Sequence, residues 1–411
     1  MRPIPVMLAL LLALSPGAVA FQAGTAATPG ASSAEFAATQ GADRAPDDRN
    51  TTAVLTLGTN ASRTAFESSS LSLESSLTMD RGSVRTELST SVLDQRLENA
   101  ETPEQKKQIL NRFRFRIENR IISLKAEEQQ VNSAFSNGSL SATEYLRALA
   151  RITSEAGEIR TLATAMESHA KSVPNFNMEQ EANTIRGKVV SLEGPIRNRI
   201  VSTARGEASP NRLFVAASEN GVVLATIDDG TYVREIVRTD HRNPGASGQS
   251  TIDAAEQSVF ERYPWAADNK GGYEVNAKFG TTSVYRLQFQ HPHGELTVYF
   301  DGGTEQVFKE VQHKRLTGQQ SLPPGPSTAN TSRNLTVAVN RTYPGGPLRV
   351  NVTNATGAPV DARITVAGES VGRTHGDGVL WTLGPAEQFQ VSAVHEDATV
   401  NVTATPTDHG S

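Results

Sequence analysis

Apolar positions change their period twice along the chain. From about residue 64 to 204 they recur in alternating steps of four and three, the spacing of amphipathic helices. One seam runs Leu110, Arg114, Ile117, Ile121, Leu124, Glu128, Val131, Phe135. A cleaner one runs Tyr145, Leu149, Ile152, Ala156, Ile159, Ala163, Met166, Ala170, and a third Met178, Ala182, Ile185, Val189, Leu192, Ile196. Pro103 suits a first helical turn. Ser141 and Glu144 have capping-box spacing. Pro174 separates two helices, and Gly194-Pro195 is expected to kink or split the last. Residues 64–98 read as a further helix of weaker periodicity. The pattern predicts a helical hairpin or bundle over 51–206, with a possible short strand at 51–57, "TTAVLTL".

From Leu213 the period becomes two. Asn220-Gly221 and Asp229-Gly230 divide strand-like runs as hairpin turns. A helix is expected from Ser250 or Thr251 to Pro264, with Ile252, Ala255 and Val259 on one face. The runs "YEVNAKF", "SVYRLQF", "ELTVYF" and "EQVFKEVQ" follow, giving an α+β domain over 211–316. Residues 317–333, "TGQQSLPPGPSTANTSR", have the composition of a Pro-rich linker. Beyond them, short alternating runs predict an Ig-like β-sandwich over 334–405. Alternation there turns Val350, Val352, Val400 and Val402 inward and Asn351 and Asn401 outward. The fold class is multidomain α+β: helical bundle, central α+β domain, C-terminal β-sandwich.

The first twenty residues, "MRPIPVMLALLLALSPGAVA", change where this fold is expected to work. Arg2, the apolar run Val6 to Leu14 and Ala18-Val19-Ala20 form a signal peptide cut after Ala20. The apolar run is short for a bilayer span. The Ala/Gly/Ser/Thr-rich residues 21–50 predict a disordered linker. The mature chain is expected to have no transmembrane helix and to sit outside the cell or at its surface.

Composition narrows the chemistry. The 411 residues include no cysteine, which excludes disulfides, thiolate metal sites, a cysteine nucleophile and a lipid-anchored cysteine. A net charge of −5 argues against a nucleic-acid partner, although arginines outnumber lysines by 30 to nine. All six asparagines beyond residue 300 sit in Asn-x-Ser/Thr sequons: Asn330, Asn334, Asn340, Asn351, Asn354 and Asn401. Asn50, Asn60 and Asn137 are further sequons. In a secreted chain they are glycosylation candidates.

There is no Gly-x-Ser-x-Gly elbow, no His-Glu-x-x-His, no phosphate loop and no dinucleotide fingerprint. "HPH" at His291–His293 is the sharpest metal candidate, with His313 as a third ligand, but two imidazoles beside a turn are too few for a closed site. Asp228-Asp229-Gly230 and Asp301-Gly302 read as turns. Asp253 and Glu256 share a solvated helix face. No catalytic residue, metal ligand or cofactor is assigned, and the chain is expected not to be an enzyme.

A helix ending in Tyr263-Pro264, followed by strands closing on "GELTVYFDGGTEQVFKEV", resembles the PepSY-type fold over residues 250–312. That resemblance implies a helix packed on a small antiparallel sheet, acting as a binding or inhibitory module. Gly357-Ala358-Pro359-Val360, Val366-Ala367-Gly368, Thr374 and Asp377-Gly378 resemble the regulatory-like sandwiches appended to carboxypeptidases, which implies spacing or adhesion. The whole arrangement resembles secreted proteins of halophilic archaea that carry domains of unknown function. The expected function is a non-enzymatic secreted or surface glycoprotein, a binding or structural module whose partner is an extracellular protein or a cell-wall component. The alternatives are a secreted protease modulator acting through the PepSY-like domain, or a hydrolase without a recognisable motif.

Overall fold

The helical seams form as five helices: α1 (Leu73–Glu98), α2 (Pro103–Ser136), α3 (Ala142–Lys171), α4 (Glu179–Val189) and α5 (Pro195–Ala204). The computed structural model describes residues 51–58, 61–244, 250–276 and 279–407. The signal segment with Ala20, the 21–50 stretch, Asn50 and Asn60 lie outside the described residues. α2 starts on a capping box of Thr102 and Gln105 with Pro103 in its first turn, and α3 on one of Ser141 and Glu144. All eight positions of the cleaner seam are fully buried, Tyr145 through Ala170. Gly194-Pro195 splits the third seam into α4 and α5. Each fully buried Leu or Ile contributes roughly 1.5–3 kcal/mol by leaving water.

Two stretches near the start of the described chain depart from the expected pattern. Residues 63–68 form not helix but the strand β1 (Arg63–Ser68), paired antiparallel with β2 (Arg212–Ser218). "RTAFES" alternates, so Ala65 meets the bundle side while Phe66 packs on Phe214 from the other, with ring centroids 5.5 Å apart. Residues 51–57, expected as a possible strand, run extended without joining a strand ladder. Side chains rather than a neighbouring strand take their backbone groups.

The remaining central strands are β3 (Gly221–Asp228), β4 (Thr231–Arg238), β5 (Gly272–Asn276), β6 (Val284–His291), β7 (Gly294–Asp301) and β8 (Gln306–Arg315). With β1 and β2 they make one eight-stranded antiparallel sheet in the order β1-β2-β3-β4-β8-β7-β6-β5. Asp229 and Gly230 both take positive φ (46° and 71°), as the two-residue hairpin between β3 and β4 requires. One face of the sheet carries the bundle: Phe135, Tyr145, Leu149, Ile196 and Ile200 meet Val215, Leu224 and Val233. The other carries α6 (Ile252–Arg262) and the short α7 (Pro264–Asp268), through Ala255, Val259, Tyr263 and Ala266.

The C-terminal strands form two four-stranded sheets. One has the order β14-β11-β10-β9, from β14 (Val379–Leu383), β11 (Pro347–Asn354), β10 (Leu335–Asn340) and β9 (Ser327–Ser332). The other has the order β13-β12-β15-β16, from β13 (Glu369–Arg373), β12 (Arg363–Val366), β15 (Phe389–His395) and β16 (Ala398–Ala404). Part of the expected linker is therefore structure. "STANTS" becomes the edge strand β9 because its Thr and Ser residues tolerate an exposed strand and β10 offers a free edge. Leu322 is buried against the central core, and Tyr232 Oη donates to Gly345 O at 3.1 Å, so the sandwich docks on the central domain.

Candidate functional site

Alternation along β8 places Glu310, Gln312 and Lys314 on one face of the central sheet and Lys309, Val311 and His313 on the other. Buried charge therefore occurs on both faces.

On the first face the extended segment 51–57 lies under a row of side chains. Lys314 Nζ donates to Thr52 O at 3.3 Å and Gln312 Nε2 to Ala53 O at 2.6 Å. Leu55 N donates to Glu310 Oε2 at 2.6 Å, and Leu55 O accepts from Arg234 Nη2 at 2.7 Å. Arg238 Nη1 reaches Thr56 O at 2.9 Å. Arg234 and Glu310 form a buried ion pair at 2.9 Å, and Tyr263 Oη donates to the same carboxylate at 2.7 Å. Leu55 is buried beside them. Burial pushes the Lys314 amine down to about 7; Arg234 adds to the shift and Glu310 opposes it. These contacts grip backbone atoms, so they hold an extended peptide largely without reading its side chains.

His291 ends this row. Its Nε2 lies 3.2 Å from Thr52 Oγ1, and burial, then Lys314 and His293, push its pKa down to about 4. His293 stacks on Trp265 with centroids 4.9 Å apart, while His291 meets the same indole edge-on at 5.3 Å. His313 sits on the opposite face, across from Glu295 and Val233, so the candidate third ligand is not brought to the pair. Among the described residues no group of three or more His, Cys, Asp or Glu is placed to hold a metal ion. Asp301 accepts from Ser283 Oγ at 2.7 Å and Gly303 N at 3.0 Å, which is turn chemistry as expected.

On the second face, Arg197 at the start of α5 is fully buried between two carboxylates. Its Nη2 is 2.8 Å from Glu128 Oε1 and its Nε 3.2 Å from Glu235 Oε1. A Cβ on Gly194 would overlap the Glu235 carboxylate, so this glycine is what lets α5 begin there. Lys309 Nζ donates to Val190 O at 2.9 Å and to Glu193 O, lies over the Tyr299 ring at 5.3 Å, and is 4.0 Å from Glu235. Burial lowers its pKa, against the pull of Glu235.

Beside this cluster opens a cleft of about 1370 Å³ between α3, α4, α5 and strands β6 to β8. Thr161, Thr164, Ser168, Asn183 and Asn198 line its helical wall. Arg286, Tyr299 and Lys309 line the sheet wall, with Phe279 at the margin. The charged side chains lining it are three cations, Arg160, Arg286 and Lys309, against one carboxylate, Glu193, which pairs with Arg160 at 2.7 Å.

Periodicity alone did not single out Arg197, Glu235, Lys309 or the Arg234–Glu310 pair. The available signal was charge inside otherwise apolar patterns: Glu128 in a helical seam, "TYVREIVR" in β4 and "QVFKEVQHKR" in β8.

The sequons separate by geometry. Asn137, Asn330, Asn334 and Asn401 are exposed; Asn340, Asn351 and Asn354 are half-buried. Asn330 Nδ2 donates to Asn401 O and Asn340 Nδ2 to Gly325 O, both at 2.9 Å. Asn354 Oδ1 accepts from Thr356 N and Ala358 N and so organises its turn. Val350, Val352, Val400 and Val402 all point into the sandwich core, as alternation required.

Three family models match the chain in series. A "Domain of unknown function (DUF7096)" covers residues 1–209, a "Family of unknown function (DUF7094)" residues 213–320, and an "Archaeal fibronectin-III type-like domain" residues 326–402. No curated protein and no solved structure matches the chain.

Proposed function

We propose, for a chain that belongs to the DUF7096 family of unknown function, that it is a secreted, non-enzymatic binding and spacing module of the cell surface whose ligand occupies the cleft between the helices and the central sheet. One observation carries this reading: a roomy cleft with hydroxyl, amide and apolar lining in which Arg160, Arg286 and the buried Lys309 outnumber the single carboxylate Glu193. Guanidinium groups recognise carboxylate or sulfate in a fixed fork geometry. The hydroxyl and amide wall supplies hydrogen bonds, and Tyr299 offers an apolar face. The fitting ligand is an anionic, hydroxyl-rich polymer such as an acidic cell-wall glycan.

The proposal includes cleavage after Ala20, export, and functional units over 51–206, 211–316 and 334–405, with β1 lent to the central sheet and β9 added to the sandwich. α6 packed on antiparallel β6 and β7 supports kinship of the central domain with PepSY-type modules. The archaeal sandwich model and the excess of arginine support a halophilic archaeal setting. Among the described residues no helix is long and apolar enough to cross a membrane. Asn137, Asn334 and Asn401 are the best glycan acceptors, being exposed. Asn330 and Asn340 would each have to surrender an amide hydrogen bond.

Binding of the chain to isolated cell envelopes tests the reading. Arg160→Glu with Arg286→Glu is expected to abolish it, and salt to weaken it. Undiminished binding by that double variant rejects the cleft as the site. Intact-mass measurement of native protein tests the glycans.

A second reading, a protease modulator, is favoured by the side-chain grip on the extended segment 51–57. It predicts slowed turnover by a peptidase secreted alongside, and unchanged turnover rejects it.

A further inference from the structure

α1 places most of its apolar residues on the side away from the protein. Its row against the bundle contains Ser75, Met79, Gly82, Thr86, Leu93 and Leu97. Thr86 donates there to Glu158 at 3.2 Å, and a Cβ on Gly82 would overlap the same carboxylate. The solvent side carries Leu73, Leu77, Val84, Leu88 and Val92, which are 73, 51, 54, 61 and 41% exposed. With about 100° of turn per residue, these five share an arc of about 100° centred about 170° from the buried row. They form a continuous stripe along the free side of a 26-residue helix.

Charge on the two flanks of the stripe names the partner. Asp80, Glu87 and Glu98 line one flank and Arg85 and Arg96 the other, with Arg81 and Glu74 within the arginine-side edge of the stripe itself. All seven residues are exposed, and none has an ion-pair partner among the described residues. When two copies of one helix pack in parallel around a two-fold axis, opposite flanks meet, and a residue on one side faces the residue five positions on in its partner. Asp80 then faces Arg85, twice by symmetry. In an antiparallel pair like flanks meet, acid on acid and arginine on arginine. We propose that the protein forms a homodimer through the exposed stripe of α1, with the two α1 helices side by side and parallel.

Sedimentation of the full chain over a concentration series tests this, and a reversible dimer is expected. Leu77→Glu with Leu88→Glu is expected to leave only monomer, unfolding at the same temperature as the parent chain diluted to monomer, because both positions are exposed. Asp80→Arg sets like charges together and should raise the dimer dissociation constant about tenfold or more. Adding Arg85→Asp to it should restore the dimer. The cysteine-free chain permits a direct reading of orientation. Leu77→Cys alone, and Leu88→Cys alone, should each oxidise to a covalent dimer, since equivalent positions meet only in the parallel pair. Four results overturn the proposal: a monomer at every concentration, a dimer indifferent to the Leu77 and Leu88 changes, cross-linking only when the Leu77→Cys and Leu88→Cys variants are mixed, or binding of anionic lipid vesicles through the stripe without self-association.

Discussion

The C-terminal sandwich and the central sheet are made of the same alternating antiparallel strands, yet they bury different chemistry. The sandwich closes over Val337, Val339, Val350, Val352, Ile364, Val391, Val400 and Val402, and among the described residues no charged side chain is buried in it. The central sheet buries Arg234 and Glu310 on one face and Glu235 and Lys309 on the other. A sandwich covers one sheet with another of like pattern, so apolar alternation suffices. The central sheet must be covered by unlike elements, a helical bundle on one side and an extended segment with α6 on the other. Its ion pairs act as addresses. Arg234 and Glu310 bond the N–H and C=O of Leu55, and Glu235 and Arg197 seat the start of α5. An address of this kind gives register more than net stability, because desolvation offsets much of the attraction.

The largest effect that can break this contrast is loss of one ion. Arg234→Met leaves the Glu310 carboxylate buried and unpaired and should cost roughly 3–5 kcal/mol in urea unfolding. Arg234→Met with Glu310→Met should recover only part of that. Leu55 N and Tyr263 Oη then lack their acceptor. Full recovery would mean that the pair does not position segment 51–57.

Leu55→Ala comes next, at roughly 2–5 kcal/mol for a buried leucine. The loss should appear as faster hydrogen exchange at Leu55 N while the β10–β11 amides of the sandwich stay protected. Equal loosening of both regions would erase the distinction.

Acid sharpens the comparison further. His291 is held at about 4, below its ordinary value of 6.5, so between those values the folded state binds fewer protons than the unfolded one. Stability of the central domain should therefore fall as pH drops from about 6.5 to about 4. Lys314, held at about 7 instead of 10.5, gives the same slope in its own higher window. His291→Gln should flatten the acid limb of urea midpoints followed by Trp265 fluorescence. An unchanged limb would show that His291 is solvated.

Ile364→Val in the sandwich is the smallest effect, roughly 0.5–1.5 kcal/mol. It should not depend on pH between 4 and 6.5, the window assigned to His291. A pH-dependent loss there would place a titrating group in that core.

Much of the fold was readable because it rests on local periodicity. The α3 seam from Tyr145 to Ala170, the capping box of Ser141 and Glu144, the turn at Asp229-Gly230 and the inward valines of β11 and β16 each follow from residues close together in sequence. The strand at Arg63–Ser68 was read as helix because six alternating residues beside a long helical pattern carry little signal, and pairing with β2, some 150 residues later, decided it. Pro-rich composition likewise hid β9, which has almost no apolar content of its own and borrows its order from β10. His313 looked like a neighbour of His291 because both lie near strand ends. One step of β8 alternation put it on the other face.

The sequence by itself determined most of the helices and strands and which side of most of them is apolar, since those properties repeat every few residues. Only the tertiary structure decided what lies against each apolar side. It carried Thr52 to His291, Leu55 to Arg234 and Glu310, and Glu128 to Arg197, and it opened the cleft where α3 to α5 meet β6 to β8. The physical reason is separation: a buried charge is tolerable only beside its partner, and these partners lie from about 70 to 255 residues apart in the chain, beyond the reach of any local pattern.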